Sequence, residues 1–253
     1  MGFPFLAALS WGAVGNQYSS AGSYRIGAKG MSEDGSLYRL CKAGAALTNP
    51  LAGKINSYRY LEGVTGDVAE TTVSTAIVAG DESVVVADAT NSRAANYYQY
   101  GYAAIPSSGT YDVFHYIWKS DAEVSDTYKI WVKPSFLYAY AAGGTIAIYP
   151  NPWKAIKNAS AYSGGYEHFA CMAELPITSG YYFWGKVQGP HWCWITGTWP
   201  GAAANDRDVC FHTDGTIKMQ DEGINTGAIS YQRAGYLMFS GNYGDAMCMM
   251  QIE

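Results

Sequence analysis

The chain has 253 residues, 49% of them apolar and only 15% charged, where about 25% charged is usual for a globular domain. Charge-driven disorder is excluded for most of its length, and a chain of this size can bury a substantial core. The net charge of −5, with Lys and Arg scattered apart from pairs such as Arg39/Lys42, lacks the cationic patch that nucleic-acid binding needs.

Residues 1–52 are rich in Gly, Ser and Ala. The opening MGFPFLAALSWGAVG has no positive n-region, Pro4 interrupts its short apolar run, and Leu6 breaks a myristoylation pattern. No run of about 20 apolar residues follows anywhere, so no membrane-spanning segment is expected. YRI (24–26) and LYRLCKAG (37–44) read as short strands with a turn at Gly35. The whole stretch reads as an extended arm with a hairpin, ordered only where something docks it.

From Lys54 the strand pattern becomes regular. INSYRYLEG, AETTVSTAIVAG and the valine run of ESVVVAD come first, the last bounded by turn residues as in a buried strand. A weak helix is expected over 91–99. NYYQYGYAAI follows, then TYDVFHYIWKS, which alternates: Tyr111, Val113, His115 and Ile117 on one face, Asp112, Phe114, Tyr116 and Trp118 on the other. Both faces carry aromatics, so both are expected to be covered. YKIWVK and GGTIAIYPNPW complete a first β-domain, 53–152, which Pro150 and Pro152 close.

A second β-domain, 153–253, contains GGYEHFACMAEL, DVCFHTDGTIKM with a hairpin turn at 213–216, ISYQRAGYLMFSG and a last strand in AMCMMQIE. Its centre is YYFWGKVQGPHWCWI (181–195), expected as two short strands with a turn at Gly189-Pro190. Segments every 8–12 residues have a sandwich or barrel rhythm. The fold expected is all-β: an N-terminal arm and two small β-sandwich or β-barrel domains.

Chemistry-bearing patterns are sparse. His191-x-Cys193 and Cys210-x-His212 would make a Cys₂His₂ zinc set if their strands paired, since residues two apart share a face. The spacing is not that of a zinc finger, and packing is the stronger reading for these residues and for His168 and Cys171. The five cysteines (41, 171, 193, 210, 248) include no CxxC and are odd in number, which predicts free thiols made in a reducing cytoplasm. No GxSxG elbow or phosphate loop is present. Asp206, Asp208, Asp214 and Asp221 lie in turn-like contexts where carboxylates are solvated, and Asp67, Asp81 and Asp88 form no calcium loop. Neither catalytic residues nor a cofactor are expected.

The surplus lies instead in 29 Gly, 22 Tyr and 8 Trp. Tyr and Trp combine large apolar area with a polar handle, which suits interfaces. Phe3, Phe5, Trp11, Tyr18, Tyr24, Trp192, Trp194 and Trp199 are the interface candidates. Trp192, Trp194 or Trp199 could alternatively serve as a sugar-stacking platform.

Four segments carry a family resemblance: DGSLYRLCKAGAALTNPLAGKI (34–55), STAIVAGDESVVVADATNSRAANYYQYGYAAI (74–105), YKIWVKPSFLYAYAAGGTIAIYPNPW (128–153) and Trp184-Gly-x-Val-x-Gly-Pro190. In order and spacing, over 34–253, the chain resembles structural proteins of tailed-phage virions, with heavier use of Tyr, Trp and Cys. The resemblance implies a capsid decoration or cement protein, made in the host bacterial cytoplasm and located on the outer head surface. Its implied partners are the major capsid protein and further copies of itself in a homotrimer, with no nucleic acid and no membrane. A carbohydrate-binding module and a tail or adhesin component are the alternatives.

Overall fold

A computed structural model describes residues 6–48, 57–61, 69–88, 93–107, 110–158, 166–195, 207–212, 215–219, 232–240 and 245–252. In chain order the elements are β1 (Ala7–Leu9), α1 (Trp11–Val14), β2 (Gln17–Tyr18), β3 (Lys29–Ser32), β4 (Leu37–Lys42), β5 (Ser57–Leu61), β6 (Ala69–Val73), β7 (Ser83–Ala87) and β8 (Tyr102–Ser107). They continue with β9 (Thr110–Ser120), β10 (Thr127–Lys133), β11 (Thr145–Tyr149), β12 (Tyr166–Cys171), β13 (Tyr182–Trp194), β14 (Asp208–Phe211), β15 (Ile217–Met219), β16 (Arg233–Ser240) and β17 (Asp245–Gln251). Among the described residues the protein is all-β apart from the single turn of α1, and it divides into two compact units: Leu61–Pro152, and Met1–Tyr60 together with Trp153–Glu253.

The Leu61–Pro152 unit is a closed barrel in the order β10-β7-β6-β11-β8-β9. Closure leaves no free sheet edge. Strict alternation drives it. Tyr128, Ile130 and Val132 of β10 enter the core, while Lys129, Trp131 and Lys133 between them face outward. Val84 and Val86 of β7, Ile117 of β9 and Ile146 and Ile148 of β11 meet them inside. The helix expected over 91–99 is corrected over 93–99; residues 91 and 92 lie outside the described residues. Residues 95–100 run as turns, with Asn96 at φ 61° and Tyr100 at φ 67°, conformations that end a right-handed helix. Packing outweighs local propensity there: Tyr98 is drawn into the barrel core and stacks on Tyr128 at 5.3 Å.

The other unit is a nine-stranded sheet in the order β1-β3-β4-β13-β17-β16-β14-β15, with β2 also paired to β13. A parallel bridge from Ile195 to Ile217 returns the β15 edge towards the end of β13. β5 and β12 pair in a separate ladder.

Two expectations are corrected in this unit. Within 1–52, the described residues 6–48 are not a loose arm: β3 and β4 form a hairpin around Gly35 (φ 81°), and β4 pairs along β13 from Lys42↔Tyr182 to Leu37↔Gln188. Strands read as arm and strands read as second domain are thus partners in one sheet. Ala7, Leu9 and Val14 pack with Tyr38, Leu40 and Trp184 into one cluster, which supplies the docking that the loose composition seemed to lack.

The 181–195 run, expected as two strands and a turn, is one 13-residue strand. Pro190 is tolerated within it because β4 has ended by that point, so its missing N–H falls where β13 pairs on one side only, with Met249 of β17 opposite. Gly189 sits at φ 127°, and a Cβ there would come 2.3 Å from Ser36 Oγ. At Gly185 a Cβ would meet the Cys171 Sγ at 2.5 Å, so the strand crosses β12 closely only because that side chain is absent.

Candidate interaction surface

β13, β17 and β16 lie side by side, and their register sets a surface of the sheet. Cys193, Cys248 and Leu237 turn inward into the core. The residues between them turn out. Trp192 lies opposite Met247, and Met247 opposite Phe239; one step along, Pro190 lies opposite Met249, and Met249 opposite Tyr236. Trp192 is 38% exposed, Trp194 41% and Phe239 69%. Two apolar rows therefore cross three strands with Trp194 beside them. Scattered exposed apolar residues are ordinary, whereas a contiguous aromatic and methionine face is the composition of a covered interface. A bulge between Leu237 and Phe239 adds Met238 to the exposed side. At the edge of this face Arg233 donates to Asp208 Oδ1 at 2.7 Å and to Gln251 Oε1 at 2.6 Å.

Of the sequence-derived interface candidates, Trp192 and Trp194 belong to this face. Trp11 projects from α1, 54% exposed. Tyr18 is half-buried against the Tyr38 cluster and donates its hydroxyl to the Ala13 carbonyl at 3.0 Å. Tyr24 meets Trp184 edge-on at 5.4 Å. Phe3, Phe5 and Trp199 lie outside the described residues. Sequence reasoning missed Phe239, Met247 and Tyr236. Their strands were readable, but which alternate set faces out follows only from the pairing.

Beneath one end of β13 lies a polar cluster. Lys186 sits opposite Tyr38 and passes over its ring at 5.6 Å. Its Nζ lies 2.7 Å from Glu174 Oε1 and donates to the Pro190 carbonyl at 3.1 Å. Tyr38 donates to the same carboxylate at 3.3 Å, and His191 Nδ1 lies 3.6 Å from its other oxygen. Burial lowers the His191 imidazole to about 4; the Glu174 carboxylate opposes this and the Lys186 cation reinforces it. His191 is therefore neutral at pH 7. Burial raises the Tyr38 hydroxyl well above its usual range, and Glu174 adds to the effect. The cluster matches one cation to one carboxylate and ties the sheet to the loop after β12.

The zinc set does not assemble. β17 and β16 separate β13 from β14. Val209 and Phe211 share the core that holds Cys193, so Cys210 between them faces the opposite way, its Sγ 3.7 Å from the Lys218 carbonyl and 3.6 Å from that of Met219. His191 is engaged by Glu174. Among the described residues no group of three or more His, Cys, Asp and Glu is placed to hold a metal ion. Cys41 and Cys171 are in contact, Sγ to Sγ 3.4 Å, in a fully buried position. Burial, with Cys171 adding, pushes the Cys41 thiol well above its ordinary range. Thiols held protonated in this way are packing groups rather than nucleophiles.

Comparison of the chain with protein-family models, with curated proteins and with solved structures finds no match. Among the described residues no helix is long and apolar enough to cross a membrane.

Proposed function

We propose that the protein is a non-enzymatic structural component of a tailed-bacteriophage virion, a decoration or cement protein on the outer head surface. The observation that carries this reading is the exposed Trp192–Met247–Phe239 row with Tyr236, Met249 and Trp194 around it. Covering such a face is favourable, and because a paired sheet already fixes its backbone, little backbone entropy is lost on docking. The partners are the major capsid protein and further copies of this chain in a homotrimer. A shell repeats each site many times, so a modest contact at each copy sums over the particle. The acidic, charge-poor composition suits the outside of a shell that encloses DNA.

The test is a density-gradient separation of phage heads and tails from an infection that supplies the tagged protein, followed by mass spectrometry of each fraction. The expected result is co-sedimentation with heads, lost in the double variant Trp192→Ser/Phe239→Ser. Recovery only in tails would move the protein to an adhesin or tail role, and absence from all particles would overturn the reading.

A further inference from the structure

A second outward surface lies on the barrel and has a different chemistry. The registers place Tyr149 opposite Tyr102, Tyr102 opposite Tyr116, and Tyr116 opposite Lys133, one row across β11, β8, β9 and β10. Neighbouring strands are about 4.8 Å apart, so the three phenols span about 10 Å; Tyr102 meets Tyr116 edge-on at 6.3 Å, and Tyr100 stacks on Tyr116 at 6.2 Å, so the row is a ridged aromatic platform. Beside it, Trp131 pairs with Lys119 while Val132 pairs with Ile117, which leaves Trp118 as the extra residue of a β-bulge. The bulge turns two successive side chains, Trp118 and Lys119, to the outside between buried Ile117 and buried Ser120. The Trp118 and Trp131 rings approach to 6.3 Å. Three ammonium groups surround them: Lys119 at 4.0 Å and Lys129 at 5.2 Å from the Trp131 ring, and Lys133 at 5.8 Å from that of Trp118.

Phe114 extends the exposed aromatic surface. It lies on the same strand two residues before Tyr116, is 71% exposed, and holds φ 66°, a left-handed conformation unfavourable for an aromatic residue. The backbone there belongs to a second β-bulge: Ala103 pairs with His115 but Ile105 with Asp112, so β9 carries one extra residue, and the bulge presents the Phe114 ring to the outside.

From these features we infer that this barrel face binds an acidic polysaccharide, with uncharged sugar rings on the tyrosine platform and a carboxylate or phosphate group at the lysine–tryptophan end. The charge distribution selects this occupant. The chain carries a net charge of −5, yet three lysines gather within one end of this face. The tyrosine row has a cation only at Lys133, its β10 end. A nucleic acid, charged at every unit, requires cations along its whole track. A polymer with neutral sugars between its acids matches a platform that is neutral at one side and cationic at the other. Asp121, 3.5 Å from Lys119, further disfavours a dense polyanion.

The experiment uses the full-length protein in affinity electrophoresis and calorimetry against hyaluronan oligosaccharides, polygalacturonate, a poly(glycerol phosphate) teichoic polymer, carboxyl-reduced hyaluronan and oligo-dT. The expected result is binding to at least one acidic polysaccharide, weakened by added salt. Lys133→Ala and Trp131→Ala should each weaken it about tenfold, the loss of one charge-assisted or stacking contact. Phe114→Gly should weaken binding while raising the unfolding midpoint, a pairing that damage to the fold does not produce. Tighter binding to oligo-dT than to every polysaccharide, or no binding to any acidic polymer by a folded protein, would overturn the inference. Binding is read on the isolated protein, so its failure leaves the virion assignment standing, and particle absence leaves this site standing.

Discussion

Lys186 and Glu174 form an ion pair of 2.7 Å in which the two partners are unequally protected: the lysine side chain is 7% exposed and the carboxylate 26%. The cost of breaking the pair therefore depends on which partner is removed. Glu174→Gln strands a cation in the sheet and should cost about 3 kcal/mol. Lys186→Met leaves a carboxylate that water and Tyr38 still reach, and should cost about 1 kcal/mol. Urea unfolding of the two variants checks the order, and equal losses would mean that Glu174 is not the main counter-charge.

Acid should weaken this protein before its carboxylates protonate. His191 is held at about 4 in the folded state against 6.5 in an ordinary environment. Between those values the unfolded chain takes up a proton that the folded chain refuses. Stability is thus full above pH 6.5 and falls as pH drops, by up to about 1.4 kcal/mol per pH unit, until about pH 4. Asp34, held below its usual value chiefly by the Ser32 hydroxyl, acts at lower pH, so the two windows separate. Chemical unfolding at pH 7, 6, 5 and 4.5 should show the slope, and His191→Gln should flatten it.

Gly235 occupies φ 143°, and a Cβ there would lie 1.9 Å from the Met249 carbonyl oxygen. Gly235→Ala must push β16 from β17 at the ladder beneath the exposed face. A loss of about 2–4 kcal/mol is expected, read from the thermal midpoint. Gly22, at φ 60° with open space around it, serves as the control for strain without a clash.

Deleting residues 1–33 should destabilise the sheet unit. The deletion removes β1 and β3, and with them Ala7, Leu9 and Val14, and exposes the flank of Tyr38, Leu40 and Trp184. Dye binding to exposed apolar surface should rise and the midpoint fall. A truncated protein as stable as the full chain would restore the arm reading.

Trp192→Ser and Phe239→Ser, on the exposed face, should leave stability within about 0.5 kcal/mol of the parent. Self-association in sedimentation velocity should fall. A large loss of stability instead would place these rings in the core.

The all-β class, most strand positions, the turn at Gly35 and the adjacent strands β14 and β15 were legible in the residues, because pleat periodicity and turn chemistry act within a few neighbours. Pairing was not. Nothing local to residues 37–42 says that they lie beside Tyr182–Gln188, some 140 positions on, so a strand readable in the residues was assigned to an arm rather than to its partner. The same limit governs the surfaces. Trp192 is marked as amphipathic by its type alone. Its alignment with Met247 and Phe239, the bulge that turns Trp118 and Lys119 outward together, and the separation of Cys193 from Cys210 by two strands depend on register. Register is decided by which faces of distant strands bury together, a free energy that exists only once the sheet has formed.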